Sequence, residues 1–145
     1  MAQLQRVNHF VERKRWIASL YQSRLSDISQ LRLPNEYGNV RNSYWLYTIT
    51  LDPDLAVKRN DILALLKRNG VEARPVFFPM HRMPPYKQFV HEHATYDVSN
   101  YLADGGISLP SSVTITEAEL YRVCDLLLYS MDKVLSAAPR GLVSC

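Results

Sequence analysis

The stretch Arg68–Phe89 reads RNGVEARPVFFPMHRMPPYKQF, and its reading decides how the rest of the chain folds. Lys67 and Arg68 suit the negative end of a helix dipole. Gly70 supplies the left-handed residue that closes a helix. The segment that follows, VEARPVFF, is apolar and short, as a strand is. Pro75 has no N–H to give a ladder, so this strand lies at a sheet edge or breaks there. Pro79, Pro84 and Pro85 then stiffen a turn that carries His81, Arg82 and Tyr86.

Upstream, Ile62, Leu63, Leu65 and Leu66 give one apolar side to a helix over about Asn60 to Asn69, with Asn60 or Asp61 able to cap it. Before it, SYWLYTITL (Ser43 to Leu51) is aromatic and β-branched throughout and reads as a strand covered in part on both faces. Asp52, Pro53 and Asp54 end that strand. Pro34, Asn35, Gly38 and Asn39 punctuate the stretch before it. The first element is a long helix from about Gln3 to Arg24. Its stripe is Leu4, Val7, Phe10, Val11, Ile17, Leu20 and Tyr21, with Trp16 off the main line and Arg6, Glu12, Arg13 and Lys14 on the polar face.

Downstream, short helices fit about Pro85 to His91 and about Tyr96 to Ala103. GISLP is a short strand ended by Pro110. The last helix is marked by Thr116 as N-cap, Glu119 as capping-box partner, and Ile115 with Leu120 as a staple. Its stripe is Leu120, Val123, Cys124, Leu127, Met131 and Val134. Residues 137–145 read as a frayed tail. The order predicts one small α+β domain over residues 1–145, a three-stranded sheet with helices packed mainly on one side.

The chain has 145 residues, 47% of them apolar, which suffices for one packed core. A net charge of +3 and the cluster Arg13, Lys14 and Arg15 read as a solvated helix face rather than a nucleic-acid footprint. A nucleic-acid module would show an aromatic central strand with a glycine and a basic lead, which SYWLYTITL lacks. Two cysteines, Cys124 and Cys145, imply no disulfide framework and fit a reducing cytoplasm. The N-terminus has no apolar signal core, and no apolar run approaches membrane-spanning length.

Arg74 is either an exposed edge charge with a packed stem or a planar fork aimed at a carboxylate or phosphate. His81 is either a surface histidine or a binding residue on a loop that prolines have preset. Tyr86 is a packing residue or a hydrogen-bond partner for a ligand. His91, Glu92 and His93 lack a third metal ligand at useful spacing, so no metal site is expected. Gly105-Gly106 precedes a strand and is not a phosphate loop. No residue stands out as catalytic, because Ser111, Ser112 and Thr114 have neither a nucleophile elbow nor a visible base.

Four segments, AQLQRVNHFVERKRWIASLY, SYWLYTITLD, ILALLKRNGVEARPVFFPMHRMPPY and ISLPSSVTITEAELYRVCDLL, stand in one order over about Ala2 to Leu135. Together they resemble the C-terminal small domain of the DegT/DnrJ/EryC1/StrS family, pyridoxal-phosphate aminotransferases that act on nucleotide-linked keto sugars, the perosamine synthases among them. The resemblance implies a small three-stranded antiparallel sheet, and a turn near the mouth of an active site shared by two subunits. It places Arg74 and His81 toward a nucleotide-linked sugar, and Tyr86, from its own chemistry, joins them as a candidate substrate-binding residue. It also implies that the cofactor lysine and its supporting residues belong to a large domain outside this chain. Lys14, Lys58, Lys67, Lys87 and Lys133 do not match the cofactor-lysine context. The expectation is therefore a fragment or truncated homologue with no pyridoxal phosphate and no activity of its own, and with self-association or a large domain as partner. A free-standing interaction or sugar-nucleotide-binding domain is the alternative.

Overall fold

The computed structural model of the chain describes residues 4–91 and 93–137. A 3-10 turn, Leu4–Arg6, leads into α1 (Val7–Leu25). Then follow β1 (Leu31–Arg32), β2 (Tyr47–Leu51), α2 (Pro53–Ala56), α3 (Arg59–Arg68) and β3 (Arg74–Pro75). Two 3-10 turns, Met80–Arg82 and Pro84–Phe89, occupy the proline-rich stretch. The chain continues through α4 (Asp97–Gly105), β4 (Gly106–Leu109) and α5 (Glu117–Ser136). Gln3 and residues 138–145, on which the start of the first helix and most of the expected frayed tail were placed, lie outside the described residues.

The sheet is antiparallel in the order β1-β2-β4-β3 and so has four strands rather than three. The added strand is the two-residue pairing of Leu31 with Leu51 and Arg32 with Thr50, too short to leave an alternating pattern in the sequence. β3 is one of the two edge strands, as Pro75 requires. Across β2 and β4, Tyr47 pairs with Leu109 and Ile49 with Ile107, and these four are buried. Side chains alternate along a strand, so these residues with Leu51 form one apolar face. α1, α3 and α5 cover that face through Ile17, Tyr21, Leu25, Ile62, Leu66, Leu120 and Leu127, all fully buried. Each such side chain contributes about 1.5–3 kcal/mol of transfer free energy, an upper estimate.

Tyr21 stacks on Tyr47 with ring centroids 4.8 Å apart, and its hydroxyl donates to Pro110 O at 2.6 Å. Burial therefore drives the Tyr21 phenol pKa upward. Burial likewise pushes the thiol of Cys124 up to about 11, as for an inert core cysteine.

Three further expectations are corrected. First, β2 starts at Tyr47, not Ser43. Tyr44 has φ +48°, its N–H donates to Asn42 Oδ1 at 2.8 Å, and Trp45 is 69% exposed. Aromatic composition there mimics a strand, but a left-handed tyrosine cannot continue a ladder. Second, neither Asn60 nor Asp61 caps α3. α2 runs almost directly into α3, and Lys58 O already accepts from Ile62 N–H at 3.1 Å. Third, the basic cluster of α1 is not a solvated face. Arg13 Nε donates to Val113 O at 3.1 Å, Arg15 Nη1 pairs with Glu36 at 2.6 Å, and Lys14 Nζ donates to Trp45 O at 3.0 Å and to Ser111 Oγ at 3.2 Å. These cations brace α1 against the segments that flank the sheet.

Gly70 has φ +78° and closes α3 as expected. Gly106 is required for a different reason. A Cβ there would stand 2.3 Å from both Leu102 O and Val76 Cγ2, so α4 can meet β4 under the β3 edge only at a glycine.

Candidate functional site

The sheet face opposite the three helices is polar. Thr48 pairs with Ser108, and Ser108 pairs with Arg74, so the three stand in a row across β2, β4 and β3. Thr48 and Ser108 share a hydrogen bond of 3.0 Å. At the end of the row Arg74 is exposed, and its Nη2 donates to Glu72 Oε1 at 2.9 Å. Both of these side chains are about three-quarters exposed (76% and 75%). Such a pair contributes about 0–1 kcal/mol and holds the guanidinium loosely.

From Arg74 the chain leaves the sheet through Val76, whose N–H donates to Gly106 O at 3.2 Å. It then enters the proline-rich turn, which is fastened to α4 at two points. Arg82 grips Asp104 with two parallel bonds of 2.6 and 2.9 Å. Arg82 holds the Asp104 carboxyl below its ordinary range, chiefly through that hydrogen bond. His81 Nε2 lies 2.8 Å from Asn100 Oδ1, and its ring stacks on Tyr96 at 4.3 Å with planes 10° apart. Asn100 in turn donates through Nδ2 to Thr95 O at 3.1 Å. Tyr96 has φ +51°, an unusual conformation for a large side chain.

Arg74, His81 and Tyr86 thus lie on one edge segment and the turn that follows it, but no hydrogen bond or ion pair joins them among the described residues. Arg74 is held by Glu72, and His81 by Asn100 and Tyr96. Tyr86 is 42% exposed in the second 3-10 turn, where its N–H donates to Met83 O. Phe77, Phe78, Met80 and Phe89 are exposed around them, each by more than half. Sequence reasoning passed over Tyr96, Asn100 and Asp104. The segment carrying them read as an ordinary short helix, and only the polar spacing of Asn100 and Asp104, one turn apart, hinted at a face with work to do.

A cleft of about 470 Å³ opens nearby, lined by Pro53, Ala56, Val57, Arg59, Tyr101 and Asp104. Its charged groups are already engaged: Arg59 donates to Ala103 O, and Asp104 is bound by Arg82. Among the described residues no cluster of three His, Cys, Asp or Glu side chains could hold a metal; Glu92 lies outside them. No described helix is long and apolar enough to cross a membrane.

The lysines bear on cofactor chemistry. Burial lowers the pKa of Lys14, which a nucleophilic amine needs. Its Nζ, however, is spent on Trp45 O, Ser111 O and Ser111 Oγ, so the amine is engaged by the protein itself. Lys67, Lys87 and Lys133 are exposed on the surface. Lys14 is therefore a bracing side chain rather than a free amine for pyridoxal phosphate, and Lys58 is partly buried.

Residues 1–128 match the family model of the DegT/DnrJ/EryC1/StrS aminotransferase family. GDP-perosamine synthase of Vibrio cholerae is 33% identical over 125 residues, which is 86% of this chain but 34% of that protein. GDP-perosamine synthase of Caulobacter vibrioides is 33% identical over 138 residues, 93% of this chain and 35% of that one. The crystal structure of an aminotransferase, TlmJ of Streptoalloteichus hindustanus, superimposes with a TM-score of 0.80 at 25% identity, covering 92% of this chain and 35% of that chain. The chain spans about a third of the length of the curated relatives it matches.

Proposed function

This chain belongs to the DegT/DnrJ/EryC1/StrS aminotransferase family, and we propose that it forms the small C-terminal domain of an enzyme that converts a nucleotide-linked keto sugar to an amino sugar. The observation that carries the reading is the mismatch of coverage: 86% of this chain aligns with only 34% of a GDP-perosamine synthase. The chain alone is then inactive and takes no pyridoxal phosphate. The engaged amine of Lys14 supports this part.

In this reading the turn after β3 is the domain's contribution to sugar-nucleotide binding. Arg74, loosely held and exposed, meets phosphate or sugar oxygens as a planar fork. His81 and Tyr86 supply hydrogen-bonding groups from a turn that Pro79, Pro84 and Pro85 preorganise, with Pro75 at the end of the strand before it. The exposed Phe77, Phe78 and Met80 belong against a large domain or a second subunit. The compartment is the cytoplasm, in keeping with a free buried thiol at Cys124.

With half of a shared pocket, affinity is expected near millimolar, about −4 kcal/mol. Titrating a nucleotide-linked hexose into the labelled chain while following backbone amide resonances tests this. The reading expects saturable shifts clustered at residues 74–86 that Arg74→Ala abolishes. Shifts that are absent at millimolar ligand, or indifferent to the substitution, would make Arg74 an edge-strand charge and nothing more.

A further inference from the structure

The contacts of His81 fix more than its position. Asn100 Nδ2 donates to Thr95 O at 3.1 Å, and a backbone carbonyl can only accept. The amide orientation of Asn100 is thereby set, and its oxygen is the atom that faces His81 Nε2 at 2.8 Å. An amide oxygen also only accepts, so Nε2 carries the proton. In the neutral ring the other nitrogen, Nδ1, then has its lone pair free, and no protein donor reaches it among the described residues. Tyr96, stacked at 4.3 Å and nearly parallel, keeps the ring in this plane. Its left-handed backbone at the start of α4 brings the phenol ring over the turn.

We infer that Asn100 is a positioning residue that locks His81 in the Nε2–H tautomer, so that the turn presents Nδ1 as a hydrogen-bond acceptor to a donor on the ligand, such as a sugar hydroxyl. The inference rests on the reading of His81 as ligand-facing and adds its polarity: the site accepts a proton-bearing group there and does not donate one. Which ring nitrogen of a histidine is protonated is set by the bond its other nitrogen makes, and here that partner comes from α4. A histidine that served only as packing would need its ring fixed but not its tautomer.

The test needs no ligand. Ring-¹⁵N-labelled histidine in the intact chain is observed by long-range proton–nitrogen correlation at a pH where the ring is neutral. The expected result for His81 is a predominant species with the proton on Nε2. Asn100→Ala should lower the ratio of Nε2–H to Nδ1–H forms by about fivefold, the ratio one ordinary hydrogen bond sustains. Asn100→Asp retains an acceptor and should keep the Nε2–H form. A predominant Nδ1–H form in the native chain overturns the inference, as does a ratio that Asn100→Ala leaves unchanged. If the alanine variant fails to fold, as amide dispersion reports, the native spectrum and the aspartate variant still decide. A correct tautomer without sugar-nucleotide binding would sink the binding reading alone. Binding with the wrong tautomer would sink the positioning role alone.

Discussion

At the residue scale the charges of α1 are spent on the backbone and on loops. Glu36 is their clearest partner. It receives two bonds from Arg15, at 2.6 and 3.1 Å, and one from the Asn42 N–H at 2.5 Å. The Arg15 hydrogen bond is the largest cause that lowers its carboxyl from the ordinary 4.5 to about 2. A depressed carboxylate adds stability that is present above its unfolded pKa and is lost as pH falls through the folded one. The segment around 36–44 should therefore stay clipped to α1 at pH 5 and release between about pH 4.5 and about 2. Carbon-detected titration of the Glu36 carboxyl, with the Asn42 amide as reporter, checks this. Glu36→Gln should remove the amide transition, and a Glu36 midpoint near that of a free glutamate would refute the clip. None of this pairing was legible in the sequence. Arg13, Lys14 and Arg15 have the composition of a solvated patch, and their acceptors are carbonyls and a carboxylate far along the chain, which no local pattern records.

At the element scale, what could be read followed from local chemistry. Thr116 with Glu119 announced the start of α5, and the capping box is formed, with the Glu119 N–H donating to Thr116 Oγ1 and the Thr116 N–H donating to Glu119 Oε2. Thr116→Ala should cost about 1 kcal/mol in urea unfolding. A loss within error of zero would mean that packing of Leu120 alone fixes this end. Gly70 and Pro75 were legible for the same reason, since one needs no partner to take a positive φ and the other can never donate. The start of β2, the direct passage from α2 to α3 and the pairing of β1 were not, because each depends on which segment arrives beside it. The candidate site divides in the same way. Its prolines and its Arg74 and His81 could be named from the sequence, but the fastening of the turn to α4 through Asp104 and Asn100 is tertiary.

At the scale of the whole molecule, a complete core coexists with a surface that expects company. One face of the sheet is sealed by α1, α3 and α5, while Leu4, Val7, Trp45, Phe77, Phe78, Met80 and Phe89 remain exposed. Phe77, Phe78 and Met80 lie close together in the chain, and clustered exposed apolar residues mark interaction surfaces. Sedimentation at micromolar concentration should therefore find association that Phe77→Ser with Phe78→Ser weakens, and a clean monomer that binds no hydrophobic dye would argue against it. The central proposal is that the turn after β3 faces a nucleotide-linked sugar and that residues 1–145 by themselves hold no pyridoxal phosphate. Its most direct test is to mix the chain with an equimolar amount of pyridoxal phosphate, scan the absorbance, reduce with borohydride and map the modified lysines by mass. The account predicts no saturable band and only scattered, substoichiometric labelling of Lys67, Lys87 and Lys133. A one-to-one adduct at a single lysine, Lys14 above all, abolished by substituting that lysine, would contradict it.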